Sequence, residues 1–137
     1  MSPSSSKILA PLRRASYLSL ATFRRSGVAV ETPVWFAEHG GRLYVFSAGD
    51  AGKVKRLRND PRIRVAPCSV RGRVTGDWID GHCQIVEEPA TQRAAYDALT
   101  RKYGWQMRLA DLGAWLTGRI NHRAVLELSF EGIVDRA

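Results

Sequence analysis

Phe46-Ser47-Ala48-Gly49-Asp50-Ala51-Gly52-Lys53-Val54-Lys55-Arg56-Leu57-Arg58-Asn59-Asp60-Pro61 is the stretch that orders the rest of the chain. It predicts the end of a strand, a glycine-containing turn and a short basic helix. The helix stops at Asn-Asp-Pro because proline disfavours helical backbone in the residue before it. Lys53, Lys55, Arg56 and Arg58 crowd into six positions, with Val54 and Leu57 as the apolar side chains. Those two face the core, and the cations fan toward solvent or a ligand. A helix start offers unpaired N–H groups and a partial positive charge, here preceded by Ser47 and carrying Lys53 in the first turn. A cation there opposes the helix dipole unless an anion answers it. Charged turns on short surface helices are otherwise solvated faces. The misplaced Lys53 favours a phosphate.

The chain has 137 residues, 45% apolar and 25% charged, which is one domain of ordinary globular composition. It is small for a fully enclosed cofactor pocket, which a homodimer with its site between subunits would provide. The net charge of +8 and pI near 10.2 are not ordinary. The excess is local: Lys7, Arg13, Arg14, Arg24 and Arg25 stand in the first 25 residues with no acid. Lys53, Lys55, Arg56, Arg58, Arg62, Arg64, Arg71 and Arg73 stand against Asp60 alone. Such clusters imply an anionic partner: a phosphorylated cofactor, a nucleic acid or an anionic membrane surface. Cys68 and Cys83 sit in apolar runs at no metal-ligand spacing, as buried thiols of a reducing compartment do. No apolar run is long enough for a signal peptide or membrane span, so a cytoplasmic protein is expected.

Residues 1–7 are polar and expected to be disordered, with one domain over 8–137 and helical turns in Ile8 to Ala15. Tyr17 to Phe23 and Val28 to Phe36 read as a hairpin of strands around Arg24-Arg25-Ser26-Gly27. Pro33 marks an edge or bulge, since it cannot donate to a ladder. Glu38-His39-Gly40-Gly41 turns into a third strand, Arg42 to Ser47. Ile63 to Val70 is a fourth strand, with Pro67 again signalling an edge or bend, and Ile79 to Glu87 a fifth. Between them runs the glycine-broken basic connection Arg71 to Trp78. Thr91 caps a helix ending at Tyr103-Gly104, a second helix carries Leu109, Leu112, Trp115 and Leu116, and Ala124 to Phe130 is the sixth strand. The fold class is therefore mainly β with α (α+β), with a short basic crossover helix and two helices before the last strand; closure of the six antiparallel strands into a small barrel removes free edges, though period alone does not separate a barrel from a sandwich.

Tyr17-Leu18-Ser19-Leu20-Ala21-Thr22, Glu31-Thr32-Pro33-Val34-Trp35-Phe36, Phe46-Ser47 with Gly52-Lys53, and Leu57-Arg58-Asn59-Asp60-Pro61 resemble, in order and spacing, the pyridoxamine-phosphate-oxidase-like split β-barrel family (the FMN-binding split-barrel type). Over residues 8–130 they are more similar to its actinobacterial deazaflavin-dependent (coenzyme F420) oxidoreductase branch. The resemblance implies a cofactor at a homodimer interface, its phosphate on Ser47, Lys53 and Arg56. It implies a ring against Thr32, Pro33, Val34 and Trp35, and a Trp78 offered to the partner subunit's ring. Lys55 and Arg58 could hold the acidic oligoglutamyl tail that the deazaflavin has and FMN lacks. By residue type alone Trp78 reads equally as a core or dimer-contact residue, and Trp35, an apolar strand residue beside Pro33, reads as core.

The expected activity is hydride transfer from reduced deazaflavin to a small unsaturated or conjugated substrate, a chemistry in which the cofactor carries the reacting carbon. No catalytic side chain is named, because neither Ser47 nor His39, His82 or His122 has a base or metal-like spacing. The alternatives are an FMN-dependent oxidoreductase or a flavin- or haem-binding protein on the same fold. A nucleic-acid-binding barrel is a further alternative, disfavoured because residues 53–73 hold no aromatic side chain. Membrane attachment through Ile8 to Arg14 is weaker, the stretch being too short.

Overall fold

The computed structural model describes residues 9–48, 52–104 and 123–130. Seven strands form one antiparallel sheet: β1 (Tyr17–Phe23), β2 (Ala29–Val34), β3 (Ala37–His39), β4 (Arg42–Ala48), β5 (Arg62–Cys68), β6 (Ile79–Val86) and β7 (Arg123–Phe130), in the spatial order β2-β1-β5-β6-β7-β4-β3. Helix α1 (Gly52–Asn59) connects β4 to β5, and α2 (Pro89–Tyr103) follows β6. Residues 9–13 are helical and bury Leu9 and Leu12. The expected disorder of residues 1–7 and the helix around Leu109 to Leu116 lie outside the described residues. The class is α+β, with the sheet curled as half of a split barrel.

The sheet has seven strands rather than six because the run read as one strand from Val28 to Phe36 bends. It ends at Val34, turns at Trp35-Phe36, and resumes as β3, which pairs with β4 through Ala37↔Tyr44 and Glu38↔Leu43. At the bend the Phe36 backbone leaves the ladder and meets the Tyr103 hydroxyl. That hydroxyl accepts from Phe36 N–H at 3.0 Å and lies within donating reach of the carbonyls of Ser16 (2.8 Å) and Phe36 (3.1 Å). Buried backbone groups must find partners, and here one phenol supplies them. Glu38 and His39 are thus strand residues, and Gly40-Gly41, both at positive φ, make the turn alone. The two edges of the sheet, β2 and β3, are the two halves of one bent run.

Alternation assigns the faces. Leu18 and Leu20 of β1, Val34, Leu43, Val45, Ile63, Val65, Leu126 and Leu128 fill the concave side, closed at one end by Val54 and Leu57 of α1. On the convex side α2 packs Ala95, Ala98, Leu99 and Tyr103 against Ala37, Tyr44, Val86 and Val125. The helix begins two residues before the expected cap Thr91, at Pro89 with Glu88 as N-cap, since proline's fixed φ suits the first helical position. It ends at Gly104 as expected, where φ is +57° and the glycine N–H bonds Thr100 O. Pro33 lies on an edge strand, as its missing donor requires. Pro67 sits in an interior strand, but β6 pairs only as far as Val65, and beyond it Thr75 N–H reaches Pro67 O at 2.8 Å.

Candidate functional site

Helix α1 is anchored as its sequence dictates: Val54 and Leu57 are buried, Lys55 and Arg58 exposed, Lys53 and Arg56 partly buried. No acidic residue occupies its first turn. Its end is fixed by Asp60 N–H bonding Arg56 O, and by Arg62, whose guanidinium and backbone both bind the Asp60 carboxylate. That pairing holds the Asp60 carboxyl below its usual range. Lys53 is different. Burial, then the neighbouring Arg56 charge, holds its amine below the usual lysine range. Among the described residues no carboxylate pairs with it.

Arg56 turns back toward the helix start. Its Nε donates to Thr22 Oγ1 at 2.7 Å, and a Cβ placed on Gly52 would lie 3.0 Å from its Nη1. The concave face of β1 continues Leu18, Leu20, Thr22, and opposite them on β2 stand Val34, Thr32 and Val30. Thr32 and Val34 therefore share a face with the threonine that holds Arg56. Pro33 points to the other face, where a Cβ placed on Gly72 of the β5–β6 connection would lie 3.8 Å from its ring. That connection folds as a tight turn, with Gly72 N–H bonding Ser69 O and Arg73 N–H bonding Ser69 Oγ, and leads to Trp78. Val70 and Trp78 on it are 63% and 38% exposed.

The expected ring-contacting strand is therefore divided. Thr32 and Val34 lie on the α1 side, and Pro33 lies with the connection that carries Trp78. Trp35 faces neither: it stacks on Tyr103, with ring centroids 4.6 Å apart and planes 11° from parallel, in the cluster under α2. Ser47 is partly buried on β4, opposite Ala124 of β7. Two residues of this neighbourhood escaped sequence analysis. Thr22 could have been found as a hydroxyl in register with Leu18 and Leu20; Tyr103 carried no signal beyond helix periodicity.

The cluster fits a phosphate. Two cations converge where a helix start presents N–H groups, beside a glycine whose lack of a side chain leaves the cradle open. Along its outer side β2, an edge strand, has no neighbouring strand among the described residues. A separate open cleft of about 190 Å³ on the convex face is lined by Phe23, Arg62, Arg64, Asp80 and His82, with Arg62 over the Phe23 ring. His39 lies 6.4 Å from the Tyr44 ring, and His122 is outside the described residues. Among the described residues no helix is long and apolar enough to cross a membrane.

Residues 5–135 match the model of the pyridoxamine 5'-phosphate oxidase family. The chain belongs to that family. Solved structures share the oxidase-family fold at low identity. A conserved hypothetical protein from Mycobacterium tuberculosis superposes with TM-score 0.69 at 20% identity, over 96% of this chain and 81% of that one. The haem storage protein HutZ from Vibrio cholerae gives 0.68 at 13%, over 91% and 88%. A FAD-binding protein from Mesorhizobium loti gives 0.61 at 16%, over 91% and 86%. At such identities the likeness shows the fold alone. No curated protein matches this oxidase-family chain.

Proposed function

We propose that this protein is an oxidoreductase that transfers a hydride from reduced deazaflavin, coenzyme F420, to a small unsaturated or conjugated substrate, with the cofactor held at a homodimer interface. The observation that carries this is the convergence of Lys53 and Arg56 on the start of α1 with Lys55 and Arg58 left exposed beside them. The inner pair takes the phosphate, and the outer pair takes the carboxylates of the tail. Thr32 and the open side of β2 line the ring with Val34 packed in the core behind them, and Ser47 adds a hydroxyl to the phosphate end. The bound cofactor supplies the reacting carbon; the chain orients it and keeps water from it. The exposed Val70 and Trp78 belong to the same β5–β6 connection, which we take as the surface a second subunit covers, with Trp78 offered to its partner's ring.

FMN is the second choice, supported by the shared fold of a FAD-binding protein. The test is titration of the purified protein with deazaflavin and with FMN at physiological salt, with its mass in solution measured in parallel. Micromolar or tighter deazaflavin binding by a dimer, weak FMN binding and a large loss in Lys53→Glu support the proposal. Tighter FMN binding replaces the cofactor, and binding of neither overturns it. Partition with a single-stranded oligonucleotide at the same salt would instead favour nucleic acid.

A further inference from the structure

We infer that Thr22 and Gly52 are positioning residues, which hold the Arg56 guanidinium as the fork that receives the cofactor's phosphate. The inference rests on the cofactor proposal above and assigns work to two residues that do not themselves touch the ligand.

Thr22 is a polar side chain wholly buried on the face that otherwise presents Leu18 and Leu20. Its one described side-chain partner is Arg56, whose Nε–H it accepts at 2.7 Å. A guanidinium is planar, so fixing Nε fixes the direction of both Nη groups. They point over Gly52: a Cβ there would stand 3.0 Å from Nη1 and 3.9 Å from Nη2. The fork is thus held from behind by a hydroxyl, and in front a side chain at residue 52 would crowd it. Lys53 stands beside it without an acid in the first turn. An anion arriving there meets a prepared pair of donors, and little side-chain ordering is left to the moment of binding.

The two residues make different demands on the fold. The obstacle at Gly52 is the far end of a flexible side chain, so an alanine there displaces Arg56 rather than the backbone. Alanine also favours helix over glycine. Gly52→Ala is therefore expected to keep or raise stability while weakening phosphate binding, a split that a merely structural role would not give. Thr22→Val keeps the shape and removes the acceptor; Thr22→Ser keeps the acceptor.

The experiment compares each phosphorylated cofactor with the same ring lacking phosphate: FMN with riboflavin, and coenzyme F420 with its unphosphorylated deazaflavin core. Parent, Thr22→Val, Thr22→Ser and Gly52→Ala are titrated by fluorescence, and the Arg56 Nε–H is followed by nitrogen-15 NMR in the cofactor-free protein. Thr22→Val and Gly52→Ala should lower the preference for the phosphorylated form about tenfold, the order of one hydrogen bond to a charged group. The unphosphorylated rings should bind as before, and Thr22→Ser should retain the parent's preference. The Nε–H signal should be protected in the parent and exchange rapidly in Thr22→Val. A parent that prefers neither form overturns the cofactor proposal and this inference together. A parent that prefers phosphate, with Thr22→Val and Gly52→Ala equal to it, overturns the inference alone.

Discussion

The Tyr103 hydroxyl stands between the N–H and the C=O of Phe36, 3.0 Å from one and 3.1 Å from the other, at the corner where a strand on one edge of the sheet becomes a strand on the opposite edge. Burial pushes this phenol up to about 12, so it stays protonated at neutral pH. Tyr103→Phe keeps the ring and its stack on Trp35 but leaves Phe36 N–H and Ser16 C=O without their described partner. Unfolding in urea should show a loss of about 3 kcal/mol, the cost of stranding buried backbone groups. An unchanged midpoint would mean that the corner is held by packing alone.

Gly81 and Gly40 separate two reasons for glycine. At Gly81 a Cβ would come within 2.5 Å of Ser129 O and 2.8 Å of Phe130, on a neighbouring strand that cannot step aside. Gly81→Ala should cost about 3 kcal/mol by overpacking. At Gly40 the space is open but φ is +62°. Gly40→Ala should cost about 1 kcal/mol, from left-handed backbone alone. Thermal melts of the two variants side by side test the order.

Lys102 Nζ lies 3.3 Å from the Phe36 ring centroid, and burial of the amine lowers it to about 8 despite the opposing charge of Glu38. Its folded value is below its unfolded one, so between the two the unfolded chain binds more protons and stability rises with pH. The half-buried Lys53 acts in the same sense. Between pH 7.5 and 9.5 the parent should gain stability relative to Lys102→Met. The residue as a whole is exposed, so solvent screening keeps the gain small. A parallel pH dependence of the two proteins would contradict this account.

The same depressed Lys53 gives cofactor binding a pH dependence of opposite sign. A phosphate favours the protonated amine, so affinity should fall as pH rises through the free protein's Lys53 value. Lys53→Arg should flatten the fall, and titrations at a series of pH values would reveal it.

Cys68 and Cys83 are buried, and desolvation, aided by the Glu127 charge, pushes the Cys83 thiol up to about 12. Both should resist a thiol reagent for as long as the protein is folded and react promptly in urea. Rapid modification of the native protein would show that the sheet opens locally around them.

Much of this architecture could be read from local pattern. The basic helix, its buried Val54 and Leu57, its Asn-Asp-Pro stop and the Gly104 terminus each depend on residues within a few positions of one another. The strand break did not: Phe36 is satisfied by a hydroxyl 67 residues away, so nothing near it announces the bend. Trp35, read as a ring contact, stacks on that same tyrosine. The site was legible as charge and not as geometry. Arg56 is turned toward the helix start by Thr22, a residue contributed by another strand, while Lys55 and Arg58 stay exposed.

The strand order has a consequence for how the protein comes into being. Residues 123–130 lie between β6 and β4, and both of those pair with them. On the ribosome every other described strand emerges earlier, yet the β3–β4 pair has no route into the sheet until this segment arrives. Without this segment the strands divide into β2-β1-β5-β6 and β4-β3, each with an unfilled edge, so the curled sheet is expected to close only once it is present. A chain truncated before residue 123 should therefore lack the closed sheet and be cut by protease faster than one that includes residues 123–130.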